Sequence, residues 1–180
     1  YKAISADIET KHGFNVSGLI FDELHAQPNR GLWDTLTGGT LSRKQPLIVA
    51  ITTAGYDRTS ICYEQYDYAC KVRDGIIIDE RFYSAIFEAS QKDDPFLPET
   101  WAKANPGLGT ILPLESIEEE STRAKNQPSY LNTFKRLNLN IWTTSEQAWI
   151  SPQVWDIGNK GVIDLDKYKG TAGYLGLDMA

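Results

Sequence analysis

Two short runs of apolar and β-branched residues constrain the fold of this chain more than any other feature. Residues 16–22 read Val-Ser-Gly-Leu-Ile-Phe-Asp, and residues 47–53 read Leu-Ile-Val-Ala-Ile-Thr-Thr. Near-continuous apolar strands suit a parallel sheet covered on both faces, because strict alternation belongs to sheets with one wet face. Between the two runs, residues 28–39 open on Pro28 and close on Gly38-Gly39, which predicts a turn and a short helix. Parallel neighbours cannot be joined by a tight turn, so strand, crossover and strand make the unit from which α/β folds are built. The fold class is therefore α/β.

Downstream, Ser60 is placed to cap a helix that runs to about Arg73 and stops at Gly75, with Ile61, Gln65, Tyr68 and Val72 on one face. Residues 82–89 alternate well enough to predict a further strand, whereas residues 93–112 are rich in Pro, Gly and Asn and read mostly as loop. Pro113 begins a charged helix that must end near Pro128, and its run Glu118 to Glu120 reads as a solvated face. Ser129 is expected to cap the next helix, in which Tyr130, Phe134 and Leu137 stand at helical spacing. From residue 143 to residue 170 the chain is irregular and polar, a linker with Trp149 and Trp155 as anchors. Residues 171–180 rise again into a strand.

Composition narrows the function classes. The 180 residues suffice for one domain with a real core, or for a domain plus pieces of another. A net charge of −6 argues against a surface that grips nucleic acid broadly, while leaving room for a local patch or for contact inside a ring. No apolar stretch is long enough to span a bilayer, and the start, at Tyr1, lacks a signal segment. Cys62 and Cys70 fall on one predicted helix, where they cannot bridge and match no metal spacing, so they read as reduced thiols.

The chemistry concentrates at the strand tips. The first run ends in Asp22 and continues into Glu23. In P-loop ATPases an Asp at this place helps to hold Mg²⁺, and a Glu beside it can orient and deprotonate the attacking water. A strand that simply exits into solvent can end the same way, so the second run carries weight. It ends Thr52-Thr53-Ala54-Gly55. Hydroxyls there can bond a γ-phosphate or the catalytic Glu and lose that bond after hydrolysis, while the Gly lets the loop move. The plainer alternative is that Thr favours strands and Gly ends them. His25 either relays a change of nucleotide state or packs in the turn after the strand, and packing is the preferred reading. Arg30, Arg43 and Arg58 are candidate arginine fingers. Nothing in their spacing selects one, and surface charge is the default.

This pairing of strand tips resembles the large terminase subunit of tailed bacteriophages, the motor that packages DNA into the capsid. The resemblance runs through Leu-Ile-Phe-Asp-Glu-Leu-His at 19–25, Arg-Lys-Gln-Pro-Leu-Ile at 43–48 and Ile-Thr-Thr-Ala-Gly-Tyr-Asp at 51–57. It continues through Ala-Asn-Pro-Gly-Leu-Gly at 104–109 and Asn-Ile-Trp-Thr at 140–143. It implies a partial P-loop (ASCE-type) ATPase sheet with a helical lid over residues 1–141, the lid beginning at about residue 80. A linker over 142–171 and the first strand of an RNase-H-like nuclease domain over 172–180 would follow. By motif, Asp22 would help to hold the Mg²⁺ of Mg-ATP, Glu23 would activate water, and Thr52 and Thr53 would form the coupling motif. Asp178 would be the first nuclease ligand for Mg²⁺ or Mn²⁺. The implied partners are double-stranded DNA, the portal protein, the small terminase subunit and further copies in a ring on the portal. The implied setting is the cytoplasm of the bacterial host, with no membrane contact.

The sequence departs from that family in two places. It holds no G-x-x-x-x-G-K-[ST] phosphate loop; Gly38-Gly39 with Lys44 follows Asp22-Glu23 and lacks the spacing. It also ends two residues after Asp178, before any further nuclease carboxylate. The expectation is an internal piece of a longer protein that alone hydrolyses no ATP and cuts no DNA, with exposed strand edges and marginal stability. Two alternatives stand beside it. A helicase-like ATPase is weaker because no second RecA-like repeat follows Thr53. A non-catalytic assembly protein derived from the same fold is the other.

Overall fold

The computed structural model describes residues 3, 4, 13–145, 157, 158, 165–170 and 172. The chain divides into two compact units, Tyr1–Ala148 and Trp149–Ala180. In the second, the described residues include a 3-10 turn at Leu165–Tyr168. Trp149, Trp155, Asp178 and nearly all of the strand expected at 171–180 lie outside the described residues.

In the first unit, β1 (Gly18–Asp22) and β2 (Leu47–Ile51) pair in parallel, from Gly18 against Leu47 to Asp22 against Ile51. The crossover holds a 3-10 turn at Leu24–Ala26 and α1 (Gly31–Gly38), whose start is fixed by Asn29 Oδ1 accepting the Gly31 N–H at 2.9 Å. Gly39 closes it. A Cβ there would lie 2.5 Å from the carbonyl oxygen of Phe14, and the Gly39 carbonyl accepts the Val16 N–H at 3.0 Å, so only glycine permits this approach.

Burial corrects the expectation of two covered faces. Residues paired across parallel strands share a face, which puts Leu19 and Phe21 on one side and Ile20, Leu47 and Ile51 on the other. Phe21 is buried on Leu24, Leu32 and Leu36. Ile20, Leu47 and Ile51 are 64%, 65% and 56% exposed. Asp22 pairs with Ile51 and belongs to that open face.

Ser60 caps α2 (Ile61–Arg73) as expected, its Oγ accepting the Tyr63 N–H at 3.2 Å. The face it turns to the core carries Ile61 and Cys62, with Tyr63 and Tyr66 packed alongside, rather than Gln65 and Val72. Tyr68 leans the other way, onto Phe82 and to an O–H bond with Asp79. Residues 82–89 form no strand. Exposure does alternate there, with Tyr83 and Phe87 out and Phe82 and Ile86 half-buried. Alternation reports an extended backbone, however, and a strand also needs a ladder partner. Here the segment's backbone bonds are a local turn bond from the Phe82 N–H to the Asp79 carbonyl, the Ala89 N–H to the Leu139 carbonyl, and the Asn140 side chain to the Phe87 carbonyl, none of them a ladder.

The stretch expected to be mostly loop contains α3 (Pro98–Ala104), with Pro98 in the first turn, Glu99 beside it and Lys103 in the last turn. Trp101 is buried and its indole N–H donates to the Pro95 carbonyl at 2.8 Å. α4 (Leu114–Asn126) turns Ile117, Ser121 and Ala124 inward. Glu118 and Glu119 are solvated, but Glu120 is half-buried and accepts the Tyr130 O–H. Ser129 does not cap α5 (Leu131–Leu139). A 3-10 turn at Pro128–Tyr130 delays the helix, and the inward residues become Phe134 and Leu139 while Leu137 stays 44% exposed.

Two cores result. One gathers Phe21, Leu24, Leu32, Leu36, Ile61 and Trp142; the other gathers Trp101, Ile117, Phe134, Leu139 and Ile141. Adjacent residues Ile141 and Trp142 enter different cores and stitch them together.

Candidate active site

Beyond β1 the backbone makes an abrupt turn at Glu23, which adopts φ 52° and ψ 57°. A left-handed conformation costs a residue with a Cβ about 1–2 kcal/mol. The surroundings impose it: Leu24 is driven into the core, and the Glu23 carbonyl accepts the Ala26 N–H at 2.9 Å. Strain of this kind gathers where a side chain must be aimed. The Glu23 carboxylate is 53% exposed, and one oxygen lies 2.9 Å from His25 Nδ1.

His25 joins the two strand tips. Its side chain is only 18% exposed. Nδ1 lies 3.1 Å from Thr52 Oγ1 and 3.4 Å from Thr53 Oγ1, and the His25 backbone N–H donates to Thr52 Oγ1 at 3.0 Å. The Thr52 hydroxyl in turn donates to the Thr53 carbonyl at 2.9 Å. Its oxygen thus faces the imidazole as an acceptor, as does the Glu23 carboxylate, a setting that favours the tautomer with a hydrogen on Nδ1. Beneath, Cys62 Sγ lies 3.7 Å from Thr52 Oγ1, and burial pushes its thiol pKa up. The turn-packing reading of His25 captures its burial and misses its partners. Those partners depend on the crossover, which brings residue 25 against residue 52.

Gly55 plays a different part from the hinge expected of it. It is buried, and a Cβ there would meet the Trp142 ring at 3.0 Å. The Thr143 N–H also reaches the Gly55 carbonyl at 3.3 Å. Asp22 stands exposed at the end of β1.

The three candidate arginines are engaged elsewhere. Arg30 bonds Asp34 at 2.7 Å and Glu64 at 3.1 Å, Arg43 donates to the Asn15 carbonyl, and Arg58 lies over the Tyr63 ring. The cation placed against the loop after Gly55 is Arg136, buried on α5 with its guanidinium 5.2 Å from the Tyr56 ring centre. Its Nε has no hydrogen-bond partner among the described residues. No spacing in the sequence points to it. Among the described residues no group of three or more acidic, His or Cys side chains could enclose a metal ion. The carboxylate of Asp22 is an oxygen donor of the type that suits Mg²⁺.

A family model described as "Terminase large subunit, ATPase domain" matches residues 1–71, and one described as "Terminase large subunit, endonuclease domain" matches residues 76–180. Protein YmfN of Escherichia coli (strain K12) is 30% identical over 161 residues, which cover 89% of this chain and 35% of that protein. The large terminase subunit of Enterobacteria phage HK97 is 29% identical over 182 residues, 100% of this chain and 34% of that one. The crystal structure of the HK97 bacteriophage large terminase superposes with a TM-score of 0.68 at 30% identity, covering 87% of this chain and 32% of that one. The chain thus spans about a third of the length of the curated relatives it matches.

Proposed function

We propose that this chain, which belongs to the terminase large subunit family, forms one wall of the ATP-hydrolysis site of a viral DNA-packaging motor. The observation that carries the reading is Glu23, held in a strained turn at the tip of β1 and tied through His25 to Thr52 at the tip of β2. A carboxylate that is aimed, half-exposed and linked to a pair of hydroxyls is placed as a base beside a phosphate sensor requires. Asp22, exposed one residue earlier, would help to hold the metal of Mg-ATP, whose charge offsets that of the phosphates. Glu23 would orient the attacking water and take its proton. Thr52 and Thr53 would report the state of the phosphate.

The wider assignment follows from family membership. The complete terminase would drive double-stranded DNA into the procapsid from a homo-oligomeric ring on the portal, together with the small terminase subunit, in the cytoplasm of the bacterial host. It would also cut concatemeric DNA with Mg²⁺ or Mn²⁺, and Asp178 would be the first ligand of that nuclease site. We assign the second core to a lid that follows the ATPase sheet, from about residue 80 to 141, with a linker over 142–171 and the nuclease beginning at 172. The endonuclease-domain match also spans this stretch. The lid reading rests on Trp142, which returns the chain from the second core to the first.

Because the sequence holds no phosphate loop, the 180 residues by themselves are expected to turn over no ATP. The test uses the full-length terminase carrying this chain. Glu23→Gln keeps the shape of the side chain and removes the base, so kcat should fall about 10²–10⁴-fold while ATP binding persists. An unchanged kcat in the Glu23→Gln variant would reject the assignment.

A further inference from the structure

We infer that His25 is a positioning residue that clamps Glu23 to the Thr52–Thr53 tip, so that the two strand ends respond as one body. The inference rests on Glu23 acting as the base and adds how that base is held.

Four observations converge on it. First, His25 grips Thr52 Oγ1 twice, through its backbone N–H at 3.0 Å and through Nδ1 at 3.1 Å, which fixes both the position and the rotation of the ring. Second, the same Nδ1 stands 2.9 Å from a Glu23 carboxylate oxygen, so carboxylate and hydroxyl meet at one ring nitrogen. The reverse tautomer would turn a lone pair at Nδ1 toward the carboxylate and toward a hydroxyl already committed to the Thr53 carbonyl. Third, the ring itself is largely shielded from water, 18% exposed, while its partners Glu23 and Thr52 stay open to solvent. Fourth, the left-handed turn at Glu23 lets residues 23 and 25 reach one point, which an extended backbone would not, since alternate side chains of a strand lie farther apart. Cys62 also reaches this junction, its Sγ 3.7 Å from Thr52 Oγ1. When a phosphate leaves the Thr52–Thr53 tip and that tip shifts, the clamp carries the shift to the carboxylate. Hydrolysis and loop position are then coupled through one imidazole.

Two measurements test the clamp. In the 180-residue chain, His12 and His25 are the two histidines, so imidazole ¹⁵N–¹H resonances can be assigned by comparison with His25→Asn. His25 is expected to show an Nδ1–H signal protected from exchange, and Thr52→Ala and Glu23→Ala should each move it. Absence of an Nδ1–H at His25, or a signal indifferent to both substitutions, overturns the inference. In the full-length terminase, the amide introduced by His25→Asn can offer an N–H from near the position of Nδ1, whereas the longer amide introduced by His25→Gln cannot. His25→Gln should lower kcat about tenfold, the worth of one hydrogen bond to a charged group, with KM for ATP unchanged, and His25→Asn should restore most of it. Equal loss in both variants, at matched melting temperature, would mean simple packing and reject the clamp. The resonance test stands even if Glu23→Gln proves active, so failure of the clamp and failure of the base assignment are distinguishable.

Discussion

Glu23 sits in a conformation that favours glycine, yet it carries the side chain proposed as the base. Replacing it with Gly should relieve the backbone at the expense of any chemistry, raising unfolding free energy by up to about 1 kcal/mol in urea titration. A loss of stability in that variant would show that the carboxylate's contact with His25 outweighs the strain. Gly55 runs the opposite way: Gly55→Ala drives a methyl into Trp142 and should destabilise by about 1–3 kcal/mol, read from the same titration. At this scale the sequence is legible where chemistry is local. Asp22, Glu23, Thr52 and Thr53 announce themselves at the ends of two apolar runs. The partners of His25 and the place of Arg136 are not legible, because each depends on which distant residue the fold brings near.

Elements with their own start and stop signals are the ones the sequence reveals. Ser60 caps α2, and the expected cost of Ser60→Ala is about 1 kcal/mol, checked by thermal or urea melting, because the Tyr63 N–H loses its acceptor. β1 and β2 stand out by composition, and α4 by the prolines around it. Sequence and structure part where one signal can mean two things. Residues 82–89 have the exposure rhythm of a strand without a ladder, and rhythm alone cannot supply the missing backbone partners. At α3, Pro98 reads by composition as a loop former, although proline at a first helical turn only removes an N–H that would have had no partner anyway. Ser129 is in register to cap, but the chain spends one 3-10 turn before α5, which moves the buried positions to Phe134 and Leu139.

On the scale of the molecule, the first unit is held by two cores that meet at Ile141 and Trp142. Trp142 packs edge-on against Tyr63 at 4.8 Å and against Tyr66 at 5.6 Å, close behind the loop that carries Thr52 and Thr53. The stitch predicts that residues 13–145 unfold in one cooperative transition, with Trp142→Ala lowering stability by about 3–5 kcal/mol. Two separate transitions in the unmutated segment would show that the cores are independent. The open face of the sheet leaves Ile20, Leu47 and Ile51 exposed beside Asp22. A two-stranded sheet has little stability of its own, and here its covered face leans on α1 and α2.

The most direct test of the half-site is a crystal structure of the full-length terminase carrying this chain, bound to Mg²⁺ and a non-hydrolysable ATP analogue. The γ-phosphate is expected at the tips of β1 and β2, with a water within hydrogen-bond reach of the Glu23 carboxylate, about 2.6–3.2 Å, and the Thr52–Thr53 hydroxyls facing the same pocket. A nucleotide bound away from those tips, with Glu23 turned to bulk solvent, would contradict it.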